Sequence, residues 1–511
     1  MSRITCPLLQ DKITSAEQAA GFINHDDSVG ISGFTGAGYP KLVPTALANR
    51  MKAAHDKGEA FQIGLWTGAS TAPDADGILA SVNGVAKRLP YNSDPTMRAL
   101  INAGEVDYVD AHLSHSAQNM WFGIYGNLDV AVVEVTAILP NGLLVPSSSV
   151  GNNKTWLEQA DTVILEVNAW QPLGLEGFHD IYYGARLPPD RKPIPLTEPM
   201  QRIGDPYLRV DPAKVVAVVE TNHPDRNSSF SPPGAHLEAI AAQVLDFLRH
   251  EVAANRLPPH LLPLQSGVGN VANAVLTGLR NSEFGGLVAF TEVIQDGMLD
   301  LIDSGKMRSA SATSFGLSDA GVRHFLDNVD SYKGKILLRS EEISNHPELV
   351  RRLGVIAMNG MIEADIYGNV NSTHIMGSAI MNGIGGSGDF ARNAFLNFFL
   401  SPSTAKNGTI SAIVPMASHV DHTEHDVQVI VTEQGLADLR GLSPADRADR
   451  IIANCANPDF RDQLADYVDR AKAARPHARH TPHILNEALS WHQRYLDTGR
   501  MQLPILSERG P

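Results

Sequence analysis

The chain has 511 residues, of which 43% are hydrophobic and 19% are charged, so it can fold into two or three domains with large buried cores. Its formal net charge of −15 argues against nucleic acid as a partner, because phosphate contacts need a basic face. No apolar run approaches bilayer-spanning length, and the N-terminus lacks the apolar core of a secretory signal. The sequence therefore predicts a soluble cytoplasmic protein whose two cysteines, Cys6 and Cys455, are reduced thiols.

The first half alternates strand-forming and helix-forming segments. Residues 29–32 predict a strand that enters a glycine-rich loop, 33–38, and a helix follows over about 41–53. Strands that alternate with helices favour α/β layers around a largely parallel sheet. Further strands of this half are predicted at 61–66, 130–137 and 162–168.

A polar, proline-rich stretch at 221–234 has the composition of a linker. Arg226 lies in this stretch. Its guanidinium fork would suit the carboxylate of a small acid, but a surface arginine in a linker would have the same sequence context. We predict an N-terminal α/β domain, a linker and a C-terminal α/β domain, with bounds at 1–220, 221–236 and 237–511.

The second half repeats the order of the first. A strand at 262–265 enters the loop 267–270, and a helix follows over 271–279. The repetition predicts two similar open α/β domains, although unrelated α/β proteins share such a rhythm. The strands that match those of the first half in order are 287–292, 355–364 and 427–433. Two tail helices, 462–473 and 481–495, are predicted to follow.

Glu292 is the most informative single residue, because five strand-forming residues, 287–291, lead directly into it. A charge at the end of a buried-type strand is costly unless it has a partner or a task. Open α/β sheets bind their ligands at the carboxyl ends of the strands. Glu292 is therefore a candidate functional carboxylate, and the alternative is a strand-end residue that meets water or caps the next helix.

Two glycine-rich segments can present backbone N–H groups to an anion. Gly267-Val268-Gly269-Asn270 stands before a predicted helix, whose N-terminus offers free donors and the positive end of a dipole. Residues 383–388 match G-x-G-x-x-G, but the residues before them do not form the strand that a nicotinamide site requires. These glycines favour an anion nest, unless they serve a turn that needs positive φ.

Three histidines, His419, His422 and His425, recur at every third position without a cysteine, an H-E-x-x-H pattern or a stable helical pattern. They are interpreted as polar loop residues, and no metal site is predicted. Neither a G-x-S-x-G motif nor a convincing Cys–His pair supports a serine or cysteine nucleophile.

Several long segments, in register, resemble the acetyl-CoA hydrolase/transferase branch of the class I coenzyme A transferases. The resemblance runs over nearly the whole chain, from 33–40 to 489–492. It implies an enzyme with two similar open α/β CoA-transferase domains and a C-terminal helical extension. It also implies that CoA thioesters and short-chain carboxylates are the partners and that no cofactor is needed, since CoA is a substrate. The segments that carry the resemblance are 264–274, 287–297, 358–371, 382–390 and 431–441.

The resemblance implies that Glu292 is a covalent nucleophile. It would form an acyl-glutamyl anhydride and then a glutamyl-CoA thioester in a ping-pong reaction. The N–H groups of Gly386 and Val268 and the amide of Asn345 would hold the oxyanions. Glu433 is assigned a supporting role near the nucleophile. The implied CoA contacts are Gly267, Val268, Gly269, Asn270 and Val271. Further candidate CoA contacts are Ile362, Gly386 and Lys406, and Arg226 is the candidate contact to a diacid's distal carboxylate.

The resemblance favours transfer of CoA from succinyl-CoA to acetate. An acetyl-CoA hydrolase, or a transferase for another short-chain acid, would fit the same chemistry, because water can attack a glutamyl thioester. A non-enzymatic small-molecule sensor of related fold is a third hypothesis, although no helix-turn-helix and no basic face are visible. A homodimer is the usual expectation for a soluble oligomer.

Overall fold

The computed structural model describes residues 2–226 and 234–503. The strands are β1 (Ser28–Ile31), β2 (Ile63–Trp66), β3 (Val85–Leu89), β4 (Asp107–Tyr108), β5 (Val130–Ile138), β6 (Leu144–Pro146), β7 (Thr162–Asn168), β8 (His179–Asp180), β9 (Val215–Thr221), β10 (Leu264–Ser266), β11 (Leu287–Phe290), β12 (Val293–Ile294), β13 (Met307–Ala312), β14 (Ser314–Phe315), β15 (Ile336–Arg339), β16 (Ile356–Gly360), β17 (Glu363–Asp365), β18 (Val370–Asn371), β19 (His374–Ile375), β20 (Ala379–Ile380), β21 (Leu396–Leu400), β22 (Thr404–Ala405), β23 (Ile410–Ser411), β24 (Ile413–Val414), β25 (Val429–Thr432) and β26 (Gly435–Asp438).

The α-helices are α1 (Ala16–Ala20), α2 (Val43–His55), α3 (Ile78–Ser81), α4 (Pro95–Ala103), α5 (Leu113–Trp121), α6 (Asn153–Gln159), α7 (Ala235–Ala253), α8 (Asn270–Asn281), α9 (Asp296–Asp303), α10 (Asp319–Asp327), α11 (Glu341–Ser344), α12 (Pro347–Leu353), α13 (Ser387–Asn393), α14 (Pro444–Cys455), α15 (Pro458–Ala474) and α16 (Ser490–Thr498). No helix among the residues that the structure describes is both long and apolar enough to cross a membrane.

The first half forms an eight-stranded sheet in the order β4-β3-β2-β1-β5-β7-β9, with β6 paired to β5. Every pair along that order is parallel, whereas β6 runs antiparallel to β5. All nine residues of β5 are buried, as expected for a parallel strand that is covered on both faces. The order reverses direction at β1, and the carboxyl edge beside such a reversal is where open sheets bind ligands.

The second half forms a nine-stranded sheet in the order β26-β25-β21-β16-β10-β11-β13-β15-β8. Its central order β13-β11-β10-β16-β21-β25 reproduces the order β3-β2-β1-β5-β7-β9 of the first sheet, which confirms the prediction of two similar α/β halves. Strand β8 comes from the first half of the chain but pairs with β15, so the two halves interlock. The proposed bounds of the two domains and their linker stay a prediction.

Two details of the predicted element order are wrong. The sequence matched β7 with β25, whereas the sheet order places β21 in the position of β7. Strand β21, Leu-Asn-Phe-Phe-Leu, has neither β-branched residues nor strict alternation, so its sequence gives a weak strand signal. The predicted helix 481–495 is formed only as α16, because the preceding segment is held by tertiary contacts, such as that from Tyr367 Oη to Pro482 O (2.6 Å).

A buried arginine joins the second sheet to the segment from the first half. Arg339 and Asp180 are both fully buried and form a salt bridge across β15 and β8. The Arg339 guanidinium also donates to Ser311 Oγ (2.9 Å) and to the carbonyl oxygens of Pro199 (3.0 Å) and Gln201 (2.6 Å). Each of the three guanidinium nitrogens of Arg339 therefore donates to at least one oxygen, on β13, on β8 or on the segment 199–201.

We expect Arg339→Met to lower the free energy of unfolding by about 3–5 kcal/mol, because it leaves the buried Asp180 carboxylate without its cation. Urea denaturation followed by circular dichroism measures the change. Arg249→Met is the matched control, since its ion pairs with Asp246 and Glu283 lie at the surface and should contribute about 0–1 kcal/mol. Equal losses in the two variants would contradict the role assigned to burial.

Candidate active site

Glu292 lies just beyond β11, at the carboxyl edge of the second sheet. The strand ends at Phe290, and the Glu292 carbonyl accepts a hydrogen bond from Thr313 N (2.9 Å). The chain then continues as β12, which pairs with β14 in a separate two-stranded sheet. The carboxylate therefore leaves the main sheet at the edge where open α/β sheets bind ligands.

A cavity of about 510 Å³, here called the catalytic cavity, opens in front of Glu292. Both halves of the chain line it through loops that follow strands of the two sheets. The first half contributes Thr35 after β1, Ser70 after β2 and Tyr91 after β3, and the second contributes Gly267 after β10, Glu292 after β11 and Ile362 after β16. The two carboxyl edges therefore face one cavity, whose volume suits a small ligand or part of a larger one.

Asn345 fixes the orientation of the Glu292 carboxylate. Its amide Nδ2 donates to Glu292 Oε2 at 2.7 Å. Ser344 Oγ in turn donates to Asn345 Oδ1 (2.8 Å), so the amide plane is set and its nitrogen points at the carboxylate. The buried Asn345 directly follows α11 and precedes the proline that begins α12, which holds its backbone between two helices.

Gly386 packs directly against this pair. A Cβ at position 386 would overlap both Glu292 Oε2 and Asn345 Nδ2 and would lie 3.0 Å from Glu292 Cδ. The backbone conformation at Gly386 is ordinary (φ −85°), so the need for glycine there comes from close approach. Its neighbour Gly385 has φ +58°, so this loop contains both a nest-like turn and a point of close contact.

The surroundings of Glu292 disfavour its charged form. Burial raises the pKa of its carboxyl from 4.5 to about 7, although the hydrogen bond from Asn345 acts in the opposite direction. Burial also raises the pKa of Asp389, at the start of α13, to about 7, and the neighbouring Glu292 contributes to that shift. A carboxylate with little water around it is more basic and more nucleophilic, and such perturbed groups in one cleft are typical of functional sites.

The loop 267–271 reaches the cavity with its first part. Gly267 and Val268 line the cavity, and the Val268 side chain is 48% exposed. Gln295 Nε2 holds the loop by donating to Gly267 O (2.9 Å). Helix α8 begins at Asn270, and Gly269, Asn270 and Val271 are not among the residues that line the cavity.

Arg226, the last residue before the undescribed segment, lines the cavity as well. Its backbone N–H donates to Gly36 O (3.0 Å), and its side chain, 60% exposed, pairs with Asp74 Oδ1 through Nη1 (2.7 Å). The preceding Asp225 is buried and bonded to Lys41 Nζ (2.9 Å), which anchors the backbone at this point. The guanidinium is therefore held at the mouth of the cavity by one exposed carboxylate.

Glu433 and Lys406 are not among the residues that line the cavity. Glu433, after β25, accepts hydrogen bonds from Ser403 N (2.7 Å) and Ser403 Oγ, so it holds the start of the β22–β23 hairpin. Lys406 lies in the turn of that hairpin with φ +49°. The roles assigned to both residues stay predictions, as do those of the residues that the structure brings together.

The first half contributes contacts that the sequence did not single out. Tyr91 packs against Gly383 and Gly385, and the Asp110 carboxylate accepts Ile384 N at 3.0 Å from each oxygen. Ser114 donates to Asp389 through N (3.0 Å) and Oγ (2.6 Å). Tyr91 and Asp110 each follow a strand of the first sheet. That position is the one feature of the sequence that could have indicated that these residues lie near the site.

The histidine tract has a structural role that its sequence did not show. His422 is only 3% exposed, and its Nε2 lies 3.2 Å from Ser387 Oγ and 3.3 Å from Ser372 Oγ. His422 is therefore a buried loop residue that lies behind the glycine-rich loop. His419 stacks on His374 at 3.8 Å between ring centroids.

Comparison with known proteins places this geometry in a family. The model for the acetyl-CoA hydrolase/transferase N-terminal domain matches residues 9–220, and that for the acetyl-CoA hydrolase/transferase C-terminal domain matches residues 321–468. The chain is 49% identical to a succinyl-CoA:acetate CoA-transferase of Clostridium kluyveri over 97% of this chain and 91% of that one. It is 46% identical to a propanoyl-CoA:succinate CoA transferase of Escherichia coli (95% and 98% covered) and 44% identical to an acetyl-CoA hydrolase of Yarrowia lipolytica (96% and 97%).

Solved structures share the fold at lower identity. RipA from Yersinia pestis matches with a TM-score of 0.70 and 23% identity, over 91% of this chain and 98% of that one. A 4-hydroxybutyrate CoA-transferase from Porphyromonas gingivalis matches with a TM-score of 0.62 and 20% identity, over the same shares. The two family models, the extent of the curated matches and the shared fold lead to one conclusion: the chain belongs to the acetyl-CoA hydrolase/transferase family.

Proposed function

We propose that the chain transfers CoA from succinyl-CoA to acetate through a covalent glutamyl-CoA thioester on Glu292. The observation that carries the proposal is the contact between Glu292 Oε2, the Asn345 amide at 2.7 Å and Gly386, inside a cavity of about 510 Å³. A buried carboxylate with a raised pKa, a fixed amide donor and a closely packed glycine is what covalent carboxylate catalysis requires. The succinyl and acetyl substrates follow the names of the relatives.

The proposed reaction proceeds in four balanced steps. Glu292 attacks the carbonyl carbon of the succinyl thioester. The C–S bond breaks, CoA departs as the thiolate, and the succinyl group is held on Glu292 as an anhydride. The thiolate attacks the glutamyl carbonyl and releases succinate, which leaves CoA on Glu292 as a thioester. Acetate attacks that thioester to give an acetyl-glutamyl anhydride and thiolate, and the thiolate then takes the acetyl group and frees the Glu292 carboxylate.

Each step develops an oxyanion, which needs preorganised donors. Gly386 and Val268 border the cavity, and their N–H groups form no hydrogen bond to a protein acceptor among the described residues. The Asn345 amide already contacts the nucleophile. We assign the Gly386 N–H to the acyl oxygen, and the Val268 N–H and Asn345 amide to the oxygen on Glu292. One donor of this kind typically contributes about 3 kcal/mol to the transition state.

The remaining contacts are proposed for the CoA moiety. Gly267 to Val271 offers the loop and helix N-terminus, Ile362 offers backbone in the cavity wall, and Lys406 offers a cation on the adjacent hairpin. Glu433 supports this side of the site through Ser403. We propose that no resident cofactor takes part, and that the protein works in the cytoplasm as a homodimer, which light scattering of the purified chain tests.

An acetate-dependent assay separates transfer from hydrolysis. With succinyl-CoA and labelled acetate, the proposal expects labelled acetyl-CoA and one equivalent of succinate. Release of free CoA at the same rate with and without acetate would favour the acetyl-CoA hydrolase activity that several relatives are named for. Replacing acetate with propionate or butyrate in the same assay tests the other short-chain acids.

The Arg226→Ala substitution is expected to lower kcat/KM for succinyl-CoA by about 10–100-fold and to leave acetyl-CoA exchange with acetate nearly unchanged. The reason is that succinate has a distal carboxylate for the guanidinium at the cavity mouth, whereas acetate has none. Arg209→Ala is the matched control, because Arg209 is similarly exposed and paired with one aspartate, Asp205, away from the cavity. Equal losses with both substrates would make Arg226 a structural residue.

The pH dependence of kcat/KM should report the ionisation of Glu292. The carboxylate is the reacting form, so kcat/KM is expected to fall as pH falls through about 7, well above the ordinary glutamate range. Asn345→Ala removes a hydrogen bond that stabilises the carboxylate, so the fall of kcat/KM at low pH should begin at a higher pH in this variant. Measuring kcat/KM against pH for the wild type and the variant tests both points. A wild-type kcat/KM that falls only near pH 4.5 would contradict the assignment of this ionisation to Glu292.

A further inference from the structure

A second cavity, of about 560 Å³, lies on the other side of the segment that carries Asn345 and shares no lining residue with the catalytic cavity. We call it the posterior cavity. Its walls are α5, the loop 185–194 and the segment from α11 into α12. Its volume is that of a pocket for a small organic molecule.

Three cations at the rim of the posterior cavity, Arg186, Arg191 and Lys192, form no salt bridge with any residue in the described part of the chain. Arg186 donates to backbone carbonyls of its own loop, and Arg191 donates to the neutral amide of Gln118 (2.7 Å). In a chain with a net charge of −15, three unneutralised cations around one cavity favour an anionic ligand.

The floor of the posterior cavity holds polar atoms that lack partners. Glu342 is 6% exposed, and neither of its carboxylate oxygens accepts a hydrogen bond from a described residue, while Lys154 Nζ lies 4.0 Å away. Trp121 Nε1 and His346 Nδ1 are likewise buried without a partner in the described residues. Unsatisfied buried polar groups are costly, so an acceptor atom that meets the Trp121 N–H, and a water molecule that donates to Glu342, would stabilise the site.

The walls of the posterior cavity also hold the catalytic groups in place. Glu342 and His346 lie on either side of Asn345, whose amide contacts Glu292. Helix α5 lines the posterior cavity with His115 and Gln118, and at its start Ser114 binds Asp389 behind the Gly386 loop. A ligand here would therefore contact the two segments that position the oxyanion donors.

We propose that the posterior cavity binds a small organic anion with at least two negative charges, a phosphate ester or a polycarboxylate, and that its occupancy changes turnover through Asn345. The charge follows from the balance of the lining, in which four cations face two carboxylates. Arg352 is paired with Glu348 (2.5 Å) and Glu342 lies 4.0 Å from Lys154 Nζ, so three rim cations are left without acidic partners among the described residues. The organic body follows from Trp121 and Ile194 in the lining. Such a ligand alters activity only if it binds with different affinity when the Asn345 amide contacts Glu292 and when that contact is broken.

Calorimetry on the full chain saturated with CoA, which fills the catalytic cavity, tests the binding step with ADP and tricarballylate as probes. We expect at least one probe to bind, and the Arg191→Gln/Lys192→Gln double variant to weaken binding at least tenfold. The matched control is Lys306→Gln/Arg308→Gln, which likewise removes one lysine and one arginine charge, at residues that line neither cavity. Turnover is then measured with and without the bound probe.

Binding of ADP alone assigns phosphate esters to the site, and binding of tricarballylate alone assigns polycarboxylates. A probe that changes kcat in the wild type but not in the Arg191→Gln/Lys192→Gln variant supports the link to Asn345. The site is disproved if neither probe binds, or if the double variant binds as well as the control variant does. An unchanged kcat at saturation would overturn the link. Because binding is measured without turnover, the binding outcomes do not depend on which acids the enzyme transfers.

Discussion

Glu292→Gln is expected to abolish CoA transfer, with kcat lowered at least about 10⁴-fold. Glutamine keeps the shape of the side chain, and its amide oxygen can still accept the hydrogen bond from Asn345. A neutral amide, however, cannot form the anhydride or the thioester. In wild-type protein mixed with succinyl-CoA, mass spectrometry should detect a CoA adduct on Glu292. Borohydride should reduce this thioester to the side-chain alcohol and release CoA, and the variant should show neither product.

The loss must come from chemistry and not from unfolding. The pKa of Glu292 is about 7 in the folded chain and 4.5 ordinarily, so the folded state loses stability as pH rises from about 4.5 through 7. A glutamine does not ionise, and the variant should therefore melt no lower than the wild type at pH 8. Glu283→Gln, on the surface, is the control for activity. Transfer at the wild-type rate by Glu292→Gln would rule out a covalent role.

The position of Glu292 could be predicted because it depends on local sequence. A run of strand-forming residues that ends in a carboxylate places that carboxylate at the carboxyl edge of a parallel sheet, and the structure places it there. In 383–388, Gly385 has positive φ, as the turn interpretation predicts, whereas the anion nest stays a prediction. Local patterns of this kind are set by backbone geometry and need no tertiary information.

The contacts across the two halves could not be predicted in the same way. Asp110 holds Ile384, and Ser114 holds Asp389, over separations of more than 270 residues. Each residue looks like an ordinary helix-start or strand-end polar group in sequence, because its partner is defined only when the two sheets face each other. The burial of His422 could not be predicted for the same reason, because its contact with Ser387 joins residues 35 positions apart.

Gly386→Ala is expected to lower kcat by about 10²–10³-fold, and Gly386→Val by more. The new Cβ would overlap Glu292 Oε2 and Asn345 Nδ2. The added methyl group would therefore push the nucleophile and its amide donor away from the loop N–H. Alanine tolerates the backbone conformation at this position (φ −85°), which means that the effect comes from the displaced groups and not from backbone strain. Steady-state kinetics with succinyl-CoA and acetate measures it.

Gly285→Ala is the matched control, because Gly285 precedes β11 and a Cβ there meets no atom within 4 Å. It should leave kcat and the melting temperature close to those of the wild type. A Gly386→Ala variant that keeps its kcat and only raises the KM for CoA would show that the loop binds CoA equally in ground and transition states. A loss in kcat without a loss in stability would instead show that the close contact of Gly386 with Glu292 and Asn345 matters in the transition state, because interactions that are equal in the ground state do not change kcat.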